Sequence, residues 1–151
     1  PADMGLVNMG GLRNVLTEGA VTCGNIYEIL PFENSLCVVT LKGVYLNHLF
    51  ENIAARGGEG VSGVQLQITK DGKLLRAAVA GKPVVDDKLY TVATIDYLAD
   101  GNDGMTALLQ GSGSNLAWSV YGLCGAADGS GKEDYFAHGR TNHGRRLRTE
   151  N

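Results

Sequence analysis

The chain has 151 residues with 13 Lys and Arg against 16 Asp and Glu, a formal net charge of −3 that provides no basic face for a nucleic acid. Hydrophobic residues make up 44% and charged residues 19%, as in an ordinary one-domain globular protein, and no apolar run approaches the roughly 18 residues of a membrane span. Cys23, Cys37 and Cys124 are odd in number and lack metal-ligand spacing, which argues against a disulfide framework or a zinc site.

The first elements follow an opening, PADMGLVN, that has neither an initiator Met nor a signal sequence. We therefore expect this chain to be part of a longer protein, with a compartment that its own first residues do not reveal. Residues 4–8 predict a short buried strand that runs into the glycine turn MGGLRN. Residues 21–31 predict a short helix with Thr22 as N-cap and Pro31 as its end.

The middle of the chain alternates strands with one long helix. Strands are predicted over residues 34–41, 61–69 and 88–95, and the turn KDGK leads into a further apolar segment, LLRAAVAG. The helix VYLNHLFENIAARGG has Gly57 as its predicted C-cap and an apolar face made of Leu46, Leu49, Phe50 and Ile53. Because these elements show no strict βαβ rhythm, the predicted fold class is α+β, with mixed β-sheets and packed helices.

The last segment, from residue 111 onward, is rich in glycine and basic residues and has no usable apolar period, so we predict a loop or a disordered tail. It contains His138 and His143, which are weak metal candidates because no Cys or carboxylate accompanies them at ligand spacing. His48 falls on the polar side of its helix and is predicted to be a surface residue.

The stretch DYLADGNDGM, residues 96–105, first suggests a calcium loop. That pattern requires oxygen ligands at positions 1, 3 and 5 and a glutamate at position 12. Counting from Asp96 places Leu98 at position 3, and counting from Asp100 places Gly104 at position 5. Neither register provides the ligands, so the sequence argues against a cation loop here.

Polar and aromatic residues instead collect where the predicted strands end, which is where layered α/β proteins build ligand sites. Two rings could sandwich a flat base, a carboxylate could accept ribose hydroxyls, and an arginine could meet phosphate. Taken singly, each residue also has an ordinary structural role: Phe32 as core, Asp103 as a turn former, Arg13 as solvated surface. The candidate substrate-binding residues are Asn8, Gly10, Gly11, Arg13, Phe32, Asn34, Tyr97 and Asp103.

Five segments in this order decide between those alternatives: NMGGLR, VTCGNIYEILPFENSL, VVTLKGVYL, VSGVQLQIT and YTVATIDYLADGNDGM. Together they resemble the C-terminal, substrate-binding domain of the metallophosphoesterase-type 5′-nucleotidases, the family of UDP-sugar hydrolase and ecto-5′-nucleotidase. The resemblance covers residues 3 to about 110. It rests on the Asn-x-Gly-Gly-x-Arg turn, the Leu-Pro-Phe corner and the Asp-Gly pair of the last loop.

The resemblance implies a role for each candidate residue. Asn8 and Asn34 would lie near the base, Arg13 near the phosphate, and Phe32 would supply one stacking ring. The second ring, commonly Phe in the family, is Tyr97 here, and its added hydroxyl needs a partner. Asp103 would hold the ribose hydroxyls. In the family the sequence of that loop is usually Asn-Gly-Gly-Asp-Gly, and here Asn102 replaces a glycine. Asn tolerates a positive φ better than other non-glycine residues.

The resemblance implies that the chain recognises the substrate of a metal-dependent phosphohydrolase. Such an enzyme would hydrolyse nucleoside 5′-phosphates to nucleoside and phosphate, and possible further substrates are nucleotide sugars. Two divalent metal ions would lie on an N-terminal catalytic domain that this chain lacks, so the chain alone is expected to bind no metal and to be inactive. Relatives of this kind are generally periplasmic, cell-surface or secreted. The alternative is a non-catalytic nucleoside-binding or interaction module derived from such an enzyme. The preferred base, the metal and the oligomeric state stay open.

The resemblance also divides the chain into a domain core, 1–110, and an atypical tail, 111–151. The family ends with a helix bearing a Met-Asp-Tyr-type motif and a Gly-Arg-Ile-Thr-type strand, and neither is present in frame. Back-translation from Val120, shifted forward by one base, permits both signatures over residues 121–145. The sequence therefore predicts a frameshift between about residues 111 and 121. The alternative is a tail specific to this lineage.

Overall fold

The computed structural model describes residues 2–119, with side-chain environments over residues 2–113. Its strands are β1 (Met4–Val7), β2 (Ser35–Lys42), β3 (Gly60–Ser62), β4 (Val64–Ile68), β5 (Leu74–Val79), β6 (Leu89–Ile95) and β7 (Ser112–Ser119). Its α-helices are α1 (Cys23–Ile29), α2 (Gly43–Ala55) and α3 (Asp96–Ala99). Short 3-10 turns occupy Met9–Gly11, Asn102–Gly104 and Thr106–Gln110.

The strands form a five-stranded sheet in the order β3-β1-β6-β2-β7 and a separate two-stranded sheet of β4 and β5. Within the larger sheet β1 and β6 run parallel, whereas the other neighbours are antiparallel. Mixed sheets packed with a few helices confirm the α+β prediction.

Helix α2 supplies much of the core, as its apolar spacing predicts. Leu46, Leu49, Phe50 and Ile53 are each at most 1% exposed and pack in one cluster with side chains from β1, β2 and β6. The helix ends at Ala55, with Arg56 as C-cap, and Gly57 follows with a φ of +83°. The predicted glycine thus lies one position beyond the cap, and Arg56 stands at the very end of the helix.

Helix α1 begins and ends where its sequence signals place it. The Thr22 hydroxyl accepts a hydrogen bond from the Asn25 backbone N–H at 3.2 Å, and the Asn25 side chain accepts one from the Thr22 N–H at 3.0 Å. This reciprocal pair satisfies two N–H groups that the first turn would leave without partners. The helix stops at Ile29, shortly before Pro31.

Two strand predictions need correction. Residues 61–69 are not one strand, because the chain turns at Gly63, with a φ of +76°, and leaves β3 in the larger sheet and β4 in the smaller one. The loop prediction from residue 111 is wrong for β7, which pairs antiparallel with β2. Its sequence, SGSNLAWS, lacks alternation, so pairing to a neighbour rather than local propensity sets its conformation. The predicted helix and strand of a shifted frame, over residues 121–145, lie outside the described residues.

Candidate functional site

One pocket of about 510 Å³ lies beside the ends of β1 and β6. Because these two strands are adjacent and parallel, the segments that follow them emerge at the same edge of the sheet. The structure brings all the predicted site residues to this pocket, together with one that the sequence did not indicate, Arg56. The lining comprises Asn8, Gly10, Gly11, Arg13, Phe32, Asn34, Arg56, Tyr97 and Asp103.

The glycine turn after β1 is organised by the Asn8 side chain, which is buried. Its Nδ2 donates a hydrogen bond to Asp103 Oδ2 at 2.7 Å. This bond fixes the amide orientation, since a carboxylate only accepts. The other amide atom, Oδ1, then lies against Gly11, where a Cβ would approach it to 2.8 Å. Gly11 is therefore required for close approach, because a side chain there would displace the Asn8 amide.

We expect Gly11→Ala to lower the free energy of unfolding by about 1–3 kcal/mol, the usual range for forcing a methyl group into a packed site. The matched control is Gly10→Ala in the same turn, because a Cβ at Gly10 would meet nothing within 4 Å. Urea unfolding measures the stability, and the side-chain amide signals of Asn8 in NMR spectra report its position. Equal stability of the two variants, with unmoved Asn8 signals, would contradict the close approach.

Both aromatic residues of the pocket are accessible. Phe32 is 45% exposed and Tyr97 is 42% exposed, so the alternative that places Phe32 in the core is wrong. The Arg13 guanidinium lies 5.2 Å from the centroid of the Phe32 ring, a cation–π distance. The Tyr97 hydroxyl, which the sequence left without a partner, donates to Asp103 Oδ1 at 3.3 Å.

In the loop that carries Asp103, the strained backbone position is Asp103 itself. Asp103 has a φ of +53°, in the left-handed region that costs a non-glycine residue roughly 1–2 kcal/mol. Asn102, which stands where the family pattern has glycine, is not among the residues with positive φ. Its side chain instead donates to the Tyr97 carbonyl at 2.8 Å and ties the loop to α3. The tolerance of Asn for positive φ is therefore not used at this position.

Arg56 reaches the pocket from the end of α2. Its Nη2 lies 3.8 Å from Asp103 Oδ2, and its Nε donates to Glu59 Oε1 at 2.6 Å. The hydrogen bond to Glu59, with a smaller contribution from Asp103, raises the pKa of Arg56 above its ordinary value. The local sequence AARGGEG marks only a helix end, so nothing in it indicates that Arg56 meets a loop much later in the chain.

The described part of the chain contains no group of side chains suited to hold a metal ion. Among residues 2–119 no three His, Cys, Asp or Glu side chains cluster in a way that could hold a metal ion. His48 is exposed and contacts Glu51 at 3.1 Å, as its surface assignment predicts. His138 and His143 fall outside the described residues. Over the same described range, no helix has the length and apolar content needed to cross a membrane.

Comparison with known proteins gives one family. Residues 1–110 match the family described as 5′-nucleotidase, C-terminal domain. The chain is 28% identical over 107 residues to Protein UshA of Salmonella pullorum, and that match covers 68% of this chain and 20% of UshA. It is 30% identical over 129 residues to an apyrase of Tabanus yao, with 72% of this chain and 23% of the apyrase covered.

A solved structure agrees with the sequence matches. The crystal structure of a 5′-nucleotidase precursor from Thermus thermophilus superposes with a TM-score of 0.67 at 28% identity, over 78% of this chain and 26% of that one. The chain thus spans about a quarter or less of the length of these relatives. The family match over residues 1–110 includes every residue that lines the pocket, whereas β7 lies beyond it.

Proposed function

Because the chain belongs to the family of 5′-nucleotidase C-terminal domains, we propose that it recognises the nucleoside part of a substrate for a metal-dependent nucleotide phosphohydrolase. The observation that carries the proposal is a single pocket that combines two accessible rings, a carboxylate and two arginines. No one of these groups is specific, but a nucleotide has a matching flat base, vicinal hydroxyls and an anionic phosphate.

The proposed arrangement assigns one part of the ligand to each wall. The base stacks between Phe32 and Tyr97, with Asn34 beside it. The ribose hydroxyls donate to the Asp103 carboxylate, which accepts more strongly than a neutral oxygen. The phosphate lies toward Arg13, whose planar guanidinium suits a phosphate with two parallel hydrogen bonds. Gly10 and Gly11 let the backbone of the turn approach the ligand closely.

Hydrolysis is proposed to take place on another domain of the whole protein. There, two divalent metal ions would activate water and stabilise the charge that develops on the phosphate. This chain would select the substrate and present its phosphate to that domain. The whole protein would release phosphate from nucleoside 5′-phosphates or nucleotide sugars. By family likeness it would act in the periplasm, at the cell surface or outside the cell.

The experiment that tests this proposal uses the 151-residue chain in two assays. Titration with adenosine, guanosine, cytidine and uridine is expected to show binding of at least one nucleoside. The expected Kd is on the order of 0.1–1 mM, because the assayed residues would form only one wall of the proposed cleft. Incubation with AMP and with UDP-glucose, each with Mn²⁺ or Mg²⁺, is expected to release no phosphate. Robust release of phosphate would refute the proposal that hydrolysis takes place on another domain. Absence of binding to all four nucleosides would favour a module that no longer binds nucleotides.

A further inference from the structure

Asp103 is part of a closed ring of polar contacts. Asn8 Nδ2 donates to Asp103 Oδ2 at 2.7 Å, and Arg56 Nη2 lies 3.8 Å from the same oxygen. Arg56 Nε donates to Glu59 Oε1 at 2.6 Å, and Glu59 Oε2 accepts from the Met9 backbone N–H at 2.7 Å. Since Met9 directly follows Asn8, the contacts return to their starting point. Glu59 belongs to this ring but does not line the pocket.

The Glu59 side chain is buried rather than exposed at the surface. It is 3% exposed, whereas that of Arg56 is 40% exposed and that of Asp103 is 22% exposed. A carboxylate at such low exposure is costly unless its oxygens are satisfied by strong donors. Each oxygen of Glu59 has one donor, and one of the two donors is a charged guanidinium.

The geometry of Arg56 links the two carboxylates. Its Nε faces Glu59 while its Nη2 faces Asp103, so one rigid, planar group is oriented from both sides. A lysine has a single ammonium on a flexible stem and could not reproduce this two-sided contact. The charges of Arg56, Glu59 and Asp103 sum to −1, so removing the guanidinium would leave two carboxylates near each other.

Asp103 needs such support because its backbone is in the left-handed region, with a φ of +53°. A residue holds an unfavourable conformation only where surrounding contacts over-determine it. We propose that Glu59 is a positioning residue that, through Arg56, holds the Asp103 carboxylate ready to accept ribose hydroxyls. This inference rests on the proposed nucleoside function, and it assigns ribose selection to a residue that does not touch the ligand.

The test compares adenosine with 2′,3′-dideoxyadenosine, which lacks the hydroxyls that Asp103 would accept. Glu59→Gln leaves a single acceptor oxygen for two donors and removes the charge. It is expected to raise the Kd of adenosine about five- to tenfold, the effect of one weakened charge-assisted hydrogen bond, and that of dideoxyadenosine by less than about twofold. Arg56→Lys preserves the charge at a partly exposed position, and it should likewise raise the Kd of adenosine more than that of dideoxyadenosine. The control is Glu51→Gln, which changes an exposed glutamate on α2 outside the ring and should change neither Kd.

Two further arms separate the possible failures. Asp103→Ala should abolish the preference for adenosine over dideoxyadenosine; if it does not, the proposed role of Asp103 in nucleoside binding is wrong. If Asp103→Ala abolishes the preference but Glu59→Gln and Arg56→Lys do not reduce it, the positioning role alone is overturned. A ligand-free measurement completes the test: Glu59→Gln should shift the side-chain amide signals of Asn8 in NMR spectra, and Glu51→Gln should not. Unshifted signals, or equal weakening of both nucleosides, would also overturn the inference.

Discussion

Phe32→Ala and Tyr97→Ala are each expected to weaken nucleoside binding by between about fivefold and a hundredfold, because stacking of a base on an aromatic ring contributes roughly 1–3 kcal/mol. Both side chains are more than 40% exposed, so their removal leaves no large cavity in the core. The unfolding midpoint should therefore change little. Binding by titration calorimetry or NMR, measured beside thermal unfolding, separates the two effects.

Two controls make this experiment specific. Tyr27→Ala removes a tyrosine of similar exposure, 46%, that does not line the pocket, and it should leave binding unchanged. Tyr97→Phe keeps the ring and removes only the hydroxyl that donates to Asp103. It should retain most of the affinity that Tyr97→Ala loses. Equal losses for Tyr97→Phe and Tyr97→Ala would assign the effect to the hydroxyl and contradict stacking, as would a loss for Tyr27→Ala.

The sequence was informative wherever a signal lies within one turn or one strand. Three such features were predicted: the Thr22 cap, the apolar face around Phe50 and strand β6. Each depends only on neighbouring positions in the chain. The eight candidate site residues were also found to share one pocket, because they follow strands or precede them in recognisable motifs. Whether they bind a nucleotide stays a prediction.

The features that escaped sequence reasoning depend on distant contacts. Arg56 enters the pocket because α2 ends beside the loop of Asp103, a proximity that only the packed fold creates. Strand β7 forms from a sequence without strand alternation because β2 offers an edge to pair with. Asp103 takes the positive φ although glycines flank it at positions 101 and 104. Its carboxylate is held by Asn8, just after β1, and by Arg56, just after α2, and a local pattern cannot reveal these partners.

Gly63 is the clearest example of such a distant requirement. Its neighbours alternate as in one continuous strand, yet the chain changes sheets there. The φ of Gly63 is +76°, and a Cβ would come within 2.4 Å of the Asp3 carbonyl oxygen. That oxygen is backbone and belongs to the segment entering β1, so it cannot move aside without disturbing the larger sheet. The carbonyl of Gly63 also accepts a hydrogen bond from the Ala80 N–H at 3.0 Å, which joins the break to the end of β5.

Gly63→Ala is therefore expected to lower the free energy of unfolding by about 3 kcal/mol, the sum of a left-handed backbone cost and a steric clash. Gly81→Ala is the matched control, since its φ is +77° but a Cβ there would meet nothing within 4 Å. It should cost only about 1–2 kcal/mol, the backbone part alone. Urea unfolding of both variants measures the difference. Because β1 leads directly to Asn8, Gly63→Ala should also weaken nucleoside binding, whereas Gly81→Ala should not. Equal destabilisation by the two substitutions would show that the close approach to Asp3 is not what breaks the strand.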